Sequence, residues 1–169
     1  MKIYPKEYLR SVLDINMEFL NKNNLKGLIL DIDNTLIDFD KNLSEEIVNW
    51  CEELKQNGIK FCIVSNTNKV EKVKTVADRL NLQYYYFAKK PCKGGFIKAQ
   101  RYLNLQPECI GVVGDQIFTD VIGGNRMKMF SILVMPLDKR DIWATKIKRP
   151  IEDLVIKSYL RKKKKKVSA

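Results

Sequence analysis

The chain contains no histidine. That absence removes Ser-His and Cys-His nucleophile pairs and every imidazole-bound metal site, so any catalysis must run on carboxylates and lysine. Cysteine is sparse. Cys51, Cys62, Cys92 and Cys109 form no Cys-x-x-Cys pair, and Cys62 and Cys109 fall in apolar, strand-like stretches. They read as buried thiols in a reducing compartment rather than as a disulfide frame or metal site. No apolar run approaches the roughly 20 residues that span a bilayer, and Met1-Lys2-Ile3-Tyr4-Pro5 lacks the apolar segment of a secretory signal. The expectation is a cytoplasmic protein.

With 169 residues the chain is long enough for one domain with a real core and too short for two of ordinary size. We expect a single domain over residues 1–160 and a polybasic tail over 161–169. The charge is uneven: of a net +11, residues 146–169 carry +8. Arg161 to Lys166 is six consecutive cations, a block that repels itself and is expected to be disordered in isolation. Such a tail suits anionic lipid or nucleic acid, and equally a merely solvated end.

Apolar spacing predicts an amphipathic helix over 6–22 and a buried strand at Gly27-Leu28-Ile29-Leu30. Ser44 is placed to cap a helix that carries Glu45 and Glu46 in its first turn and stops at Gly58. Strands follow near 59–64, 84–88, 109–113 and 130–135, separated by helices near 69–80, 95–103 and 119–127. Residues 138–160 read as helical with a break at Pro150. Regular alternation of nearly continuous apolar strands with helices implies an α/β fold. It is a doubly wound parallel sheet with helices on both faces, three α/β/α layers, right-handed crossovers and ligands bound beyond the strands' carboxyl ends.

The stretch Asp31-Ile32-Asp33-Asn34-Thr35 stands at that end of the first of these core strands. Positions i and i+2 of a strand point to one side, so Asp31 and Asp33 can converge, and two like charges repel there without a cation. Three further apolar runs end in polar atoms at Ser65-Asn66, Lys89-Lys90 and Gly114-Asp115. Four strand ends can therefore meet in one crevice.

These segments resemble, in order, the four motifs of the haloacid dehalogenase superfamily of phosphohydrolases. The closer resemblance is to the YqeG family of subclass IIIA, carried by Leu30-Asp31-Ile32-Asp33-Asn34-Thr35-Leu36, Ala88-Lys89-Lys90-Pro91 and Gly114-Asp115-Gln116-Ile117-Phe118-Thr119-Asp120, followed by Gly123-Gly124-Asn125-Arg126. The resemblance implies a Rossmann-like core in which Asp31 attacks phosphorus and forms an aspartyl-phosphate. Asp33 would protonate the leaving oxygen and later deprotonate water. Thr35 would hold the loop or Asp33, or simply stabilise the turn. Ser65, with Asn66, would grip a phosphoryl oxygen, or else cap the following helix. Lys90 would neutralise charge shared by Asp31 and the phosphoryl group, with Lys89 and Lys93 as neighbouring candidates. Asp115, Asp31 and the Asp33 backbone carbonyl would hold a hard cation, for which magnesium suits an oxygen-only donor set. Asp120 would orient Lys90 or a metal-bound water, or open a helix.

Members of the superfamily often insert a lid domain between these motifs. Here only 32 residues separate Asp33 from Ser65 and 25 separate Ser65 from Lys90, each about one helix, one strand and their loops. An uncapped, open site is expected, and with it a bulky phosphate ester. The YqeG resemblance implies phosphatidylglycerophosphate as a candidate, with the tail beside the site meeting an anionic membrane. Alternatives are a phosphatase of nucleotides, sugars or nucleic-acid ends, and outside enzymes a phospho-aspartate switch or an RNA-binding protein.

Overall fold

The computed structural model describes residues 3–138 and 149–167. Six parallel strands, β1 (Glu7–Leu9), β2 (Gly27–Leu30), β3 (Lys60–Val64), β4 (Gln83–Tyr85), β5 (Ile110–Gly114) and β6 (Phe130–Val134), form one sheet in the order β1-β6-β5-β2-β3-β4. The two-residue period of each strand distributes its apolar side chains to both faces. Leu28, Leu30, Phe61 and Ile63 pack with α2 (Glu45–Gln56) and α3 (Val70–Leu80), whereas Ile29, Cys62 and Val64 pack with Phe96, Ala99 and Leu103 of α4 (Lys93–Leu103). This is the expected layered α/β architecture.

Local chemistry sets the helix ends. Ser44 Oγ accepts from Ile47 N at 3.3 Å, Glu45 and Glu46 occupy the first turn of α2, and Gly58 takes φ +84° where the chain turns into β3. Ile47, Trp50, Cys51 and Leu54 form the buried stripe. Among the described residues no lid domain interrupts the core: the interval from Asp33 to Ser65 holds a short excursion closed by an Ile37–Leu43 bridge, then α2 and β3.

The structure departs from the sequence expectations in several places. Residues 6–22 are not one helix: β1 pairs with β6, a 3-10 turn covers Val12–Asp14, and α1 is only Met17–Lys22. The reason lies in two caps inside the periodic pattern. Ser11 and Asp14 form a capping box, with Ser11 N donating to Asp14 Oδ2 at 3.1 Å, and Asn16 Oδ1 accepts from Phe19 N at 2.9 Å. β4 ends at Tyr85 rather than near 88, because Phe87 and Lys89 adopt φ of +48° and +54° and lift the chain out of the sheet. The helix expected at 119–127 is a π-helical turn, Ile117–Val121, running into α5 (Ile122–Arg126). Cys51 and Cys62 are buried, as expected for Cys62, but Cys109 is half-buried and Cys92 exposed.

The basic segment is helical rather than disordered: α6 runs from Arg149 to Val167, with Pro150 in its first turn, where proline is tolerated, rather than at a break. Residues 139–148 of the expected 138–160 helix, and 168–169 of the tail, lie outside the described residues. Val155 and Ile156 pack on Ile117, Val121 and Leu133. Tyr159 Oη donates to Lys6 O at 3.3 Å, Lys162 Nζ lies 4.6 Å from the Tyr4 ring centroid, and Lys163 pairs with Glu7 at 2.5 Å. The helix thus has tertiary partners, while Arg161 to Lys164 remain exposed to water that screens their repulsion. Its course matters. Glu152, near its start, reaches the turn after β5, and Lys163 pairs with Glu7, which stands opposite Ile132 in the edge strand β1. The basic run therefore lies along β1, three places from β2 in the sheet order, rather than directly beside Asp31.

Candidate active site

The site grows from the ends of β2 and β5. Asp31 continues the ladder one residue past Leu30, its N–H donating to Val113 O at 2.9 Å, and Asp115 follows Gly114 directly. Asp31, Asp115, Asp120 and Lys90 are all buried, each 7% exposed or less. Lys90 Nζ lies 2.8 Å from Asp31 Oδ1 and 2.6 Å from Asp120 Oδ1. One oxygen from each of Asp31, Asp115 and Asp120 lies within 4.8 Å of the other two.

Several local features build this cluster. Asp120 projects from the π-helical turn, where its Oδ2 accepts from Gln116 N at 3.3 Å and Thr119 Oγ1 at 3.2 Å. It lies within a helical turn and is not a cap. Gly114 makes the approach possible, since a Cβ there would stand 2.2 Å from the Asp120 carboxyl carbon. Lys90 is set by Asn66: Lys90 N donates to Asn66 Oδ1 at 2.6 Å, and Asn66 Nδ2 donates to Lys90 O at 3.0 Å. Asn66 is thus committed to the Lys90 backbone. Lys89 instead leans over the Phe87 ring, and Lys93 is exposed; the structure selects Lys90 from the three.

Electrostatics bind the group together. Burial pushes the Asp31 carboxyl up to about 6, against the pull of Lys90 and with the push of Asp120. Burial works to lower the Lys90 ammonium, but Asp120 and then Asp31 outweigh it and hold it well above its ordinary value. With all four groups ionised the formal charge is −2. A divalent cation would cancel it, and an all-oxygen donor set fits a hard ion.

The other expected residues are placed less simply. Asp33 is more open, with its side chain 39% exposed and Oδ1 2.5 Å from Lys72 Nζ. Thr35 is buried, and its hydroxyl has no hydrogen-bond partner among the described residues, so it holds neither the loop nor Asp33 there. Ser65 Oγ accepts from Thr67 N at 3.3 Å. It does not cap α3, which begins at Val70 after Lys69. A groove of about 730 Å³ lined by Tyr84 to Ala88, Gly94, Gly95 and Lys98 runs along the free edge of β4, beside the carboxylates rather than over them.

Sequence reasoning missed two contributors. Lys72 occupies the first turn of α3, where a cation opposes the helix dipole; that misfit was the available signal. Glu152, from α6, accepts from Ile117 N at 2.8 Å and Phe118 N at 3.2 Å and so braces the turn that carries Asp120. Its partners lie 35 and 34 residues away in sequence, and no local pattern announces them.

A parallel α/β core with an aspartate pair after β2, a buried lysine and an acidic turn after β5 defines a phosphatase of the haloacid dehalogenase type. Comparison with known proteins agrees. Residues 2–136 match the sequence profile of the family described as mitochondrial PGP phosphatase, and the chain belongs to that family. It is 38% identical over 159 residues to the probable phosphatase YqeG of Bacillus subtilis, covering 94% of this chain and 92% of that protein. Among solved structures, a p-nitrophenyl phosphatase from Archaeoglobus fulgidus shares the fold at a TM-score of 0.53 and 16% identity, covering 74% of this chain and 92% of that one. The cobalt-bound deoxy-D-mannose-octulosonate 8-phosphate phosphatase of Haemophilus influenzae shares it at 0.53 and 12%, covering 81% and 90%. The protein is therefore an enzyme, a phosphoric monoester hydrolase, rather than a phospho-acceptor switch. No helix of the described residues is long and apolar enough to cross a membrane.

Proposed function

We propose that the chain hydrolyses a phosphomonoester in two steps through a phosphorylated Asp31, with phosphatidylglycerophosphate as its substrate and magnesium as its cofactor. The observation that carries this reading is the placement of Lys90 between Asp31 and Asp120, inside a buried set that includes Asp115. An Asp31 oxygen bonds to phosphorus as the bond to the lipid alcohol breaks, and the Asp33 carboxyl passes its proton to the departing oxygen. Asp33, now a carboxylate, takes a proton from water. The water oxygen bonds to phosphorus, the Asp31–phosphorus bond breaks, and inorganic phosphate leaves. Lys90 stays charged throughout and offsets negative charge on Asp31 and on the phosphoryl oxygens. Asp120 and Asn66 hold Lys90 in place, and Ser65 is positioned to donate to a phosphoryl oxygen.

Asp31 and Asp115, with the Asp33 carbonyl, would hold magnesium. Once bound, the ion supplies charge neutralisation at the phosphoryl group. The open crevice and the family's description support a lipid substrate, because a site without a lid accepts a headgroup that stays attached to its membrane.

A phosphate-release panel tests this reading, with nucleotide, sugar and lipid phosphomonoesters assayed with magnesium and with chelator, beside Asp31→Asn. Release from phosphatidylglycerophosphate in detergent micelles is expected, dependent on magnesium and abolished in the variant. Normal turnover by Asp31→Asn refutes the nucleophile, and no release from the lipid refutes the substrate.

A further inference from the structure

The rim of the crevice is apolar where connecting loops are ordinarily polar. Phe39 after β2, Tyr86 and Phe87 after β4, and Met135 and Leu137 after β6 are each between 43% and 54% exposed. All five stand beyond the carboxyl ends of their strands. Single exposed apolar residues need no explanation, but a set from three loops around one opening does.

These loops are fastened to the site. Phe87 N donates to Thr67 O at 2.9 Å and Ala88 N to Ser65 O at 3.0 Å, three and two residues ahead of Lys90. Leu137 N donates to Asn34 O at 3.1 Å, next to Asp33. Phe87 also occupies φ +48°, a region that costs a bulky side chain, and its ring is left in solvent rather than packed. Backbone strain spent on exposing an aromatic ring points to a surface that meets something.

Charge indicates what it meets. Lys89 Nζ lies 5.1 Å from the Phe87 ring centroid, and Lys69 and Lys93 are exposed on the flanking segments. The rim's acidic groups, Asp38, Asp40 and Asp138, gather around Phe39 and Leu137, where Asp138 acts on Asp38, and leave the lysines to the side of Tyr86 and Phe87. Aromatic bodies beside lysine ammonium groups suit the headgroup boundary of an anionic bilayer. The basic run of α6 belongs to a different part of the surface, along the edge strand β1, where Lys163 pairs with Glu7 and Lys162 faces the Tyr4 ring.

We propose that this rim, led by Tyr86 and Phe87, docks on an anionic bilayer so that the terminal phosphate of a phospholipid reaches Asp31 without leaving the membrane. The inference rests on the lipid-phosphatase reading above. Its test uses the full chain, vesicles of phosphatidylglycerol and phosphatidylcholine, p-nitrophenyl phosphate as a soluble ester, and phosphatidylglycerophosphate in micelles and in vesicles. The variant is Tyr86→Asn with Phe87→Asn, chosen because asparagine tolerates the positive φ of Phe87 and keeps the loop.

The double variant is expected to bind vesicles at least about ten-fold more weakly and to lose vesicle-lipid hydrolysis in step, an effect of about 1.4 kcal/mol or more. Its melting temperature and p-nitrophenyl phosphate turnover stay unchanged. Undiminished vesicle binding by the double variant overturns the proposal, as does binding lost only when residues 161–169 are removed. Capture of a protein by the rim, with no affinity for vesicles, overturns it too. Hydrolysis of micellar lipid without vesicle binding sinks the docking surface alone. Vesicle binding through the rim without hydrolysis of micellar lipid supports docking and sinks the assigned substrate.

Discussion

The centre and the edge of the sheet treat charge in opposite ways. At the carboxyl ends of β2 and β5, three carboxylates and an ammonium are packed almost out of contact with water. Beside the edge strand β1, the last turns of α6 display Arg161 to Lys164 in solvent, with Lys163 paired to Glu7. Removing a charged group from water costs several kcal/mol even in good geometry, whereas an exposed pair contributes little in either direction. The lysine at the centre is therefore a commitment that only chemistry explains, and the lysine at the edge is a solvated surface feature. Composition alone treats Lys90 and Lys163 as the same residue.

The largest expected break in this contrast is Lys90→Met. Loss of the ammonium leaves Asp31 and Asp120 buried without their cation, at a cost on the order of 3–5 kcal/mol in denaturant unfolding of the metal-free protein, with activity abolished. If magnesium occupies the carboxylates, adding it should recover part of that stability but none of the turnover.

Asp31→Asn should move stability the other way. Because burial raises the folded-state value of Asp31 to about 6, above its unfolded value, the protonated form is favoured in the native state. The penalty for ionising it is absent below the unfolded value near 4. It develops as pH rises toward about 6 and is complete above that. Chelator-treated Asp31→Asn should therefore be more stable than wild type by on the order of 2–3 kcal/mol at pH 7–8, with the gap closing as pH falls to 4. A gap independent of pH contradicts the assignment of this strain to Asp31.

Gly114→Ala should cost roughly 1–3 kcal/mol, since the new methyl must displace the Asp120 carboxyl. Turnover should fall with it as Lys90 loses its register. Lys163→Met is the matched small effect, under about 1 kcal/mol and weaker still in high salt. A larger loss there would erase the contrast between centre and edge.

Much of this was legible in the chain, for physical reasons particular to certain segments. Gly27–Leu30, residues 61–64 and Ile110–Gly114 are buried on both faces, so each is an apolar run that stands out from its neighbours. The residues that leave those strands carry the acidic chemistry in fixed order. What escaped was decided at a distance. β1 exists because the edge of β6 offers a partner, and its sequence alone continues a helical period. The course of α6 depends on Glu152 and Tyr159 meeting residues 35 and 153 positions away. The selection of Lys90 over Lys89 depends on Asn66 and on two left-handed residues in the loop, neither of which a spacing rule reveals.

The most direct test of the central claim is a rapid acid quench of the enzyme turning over a ³²P-labelled phosphomonoester, followed by peptide mapping. We predict label on the peptide that carries Asp31, released by hydroxylamine as expected of an acyl-phosphate and absent from Asp31→Asn. Turnover with no label on the protein, or with label on another residue, would contradict the account.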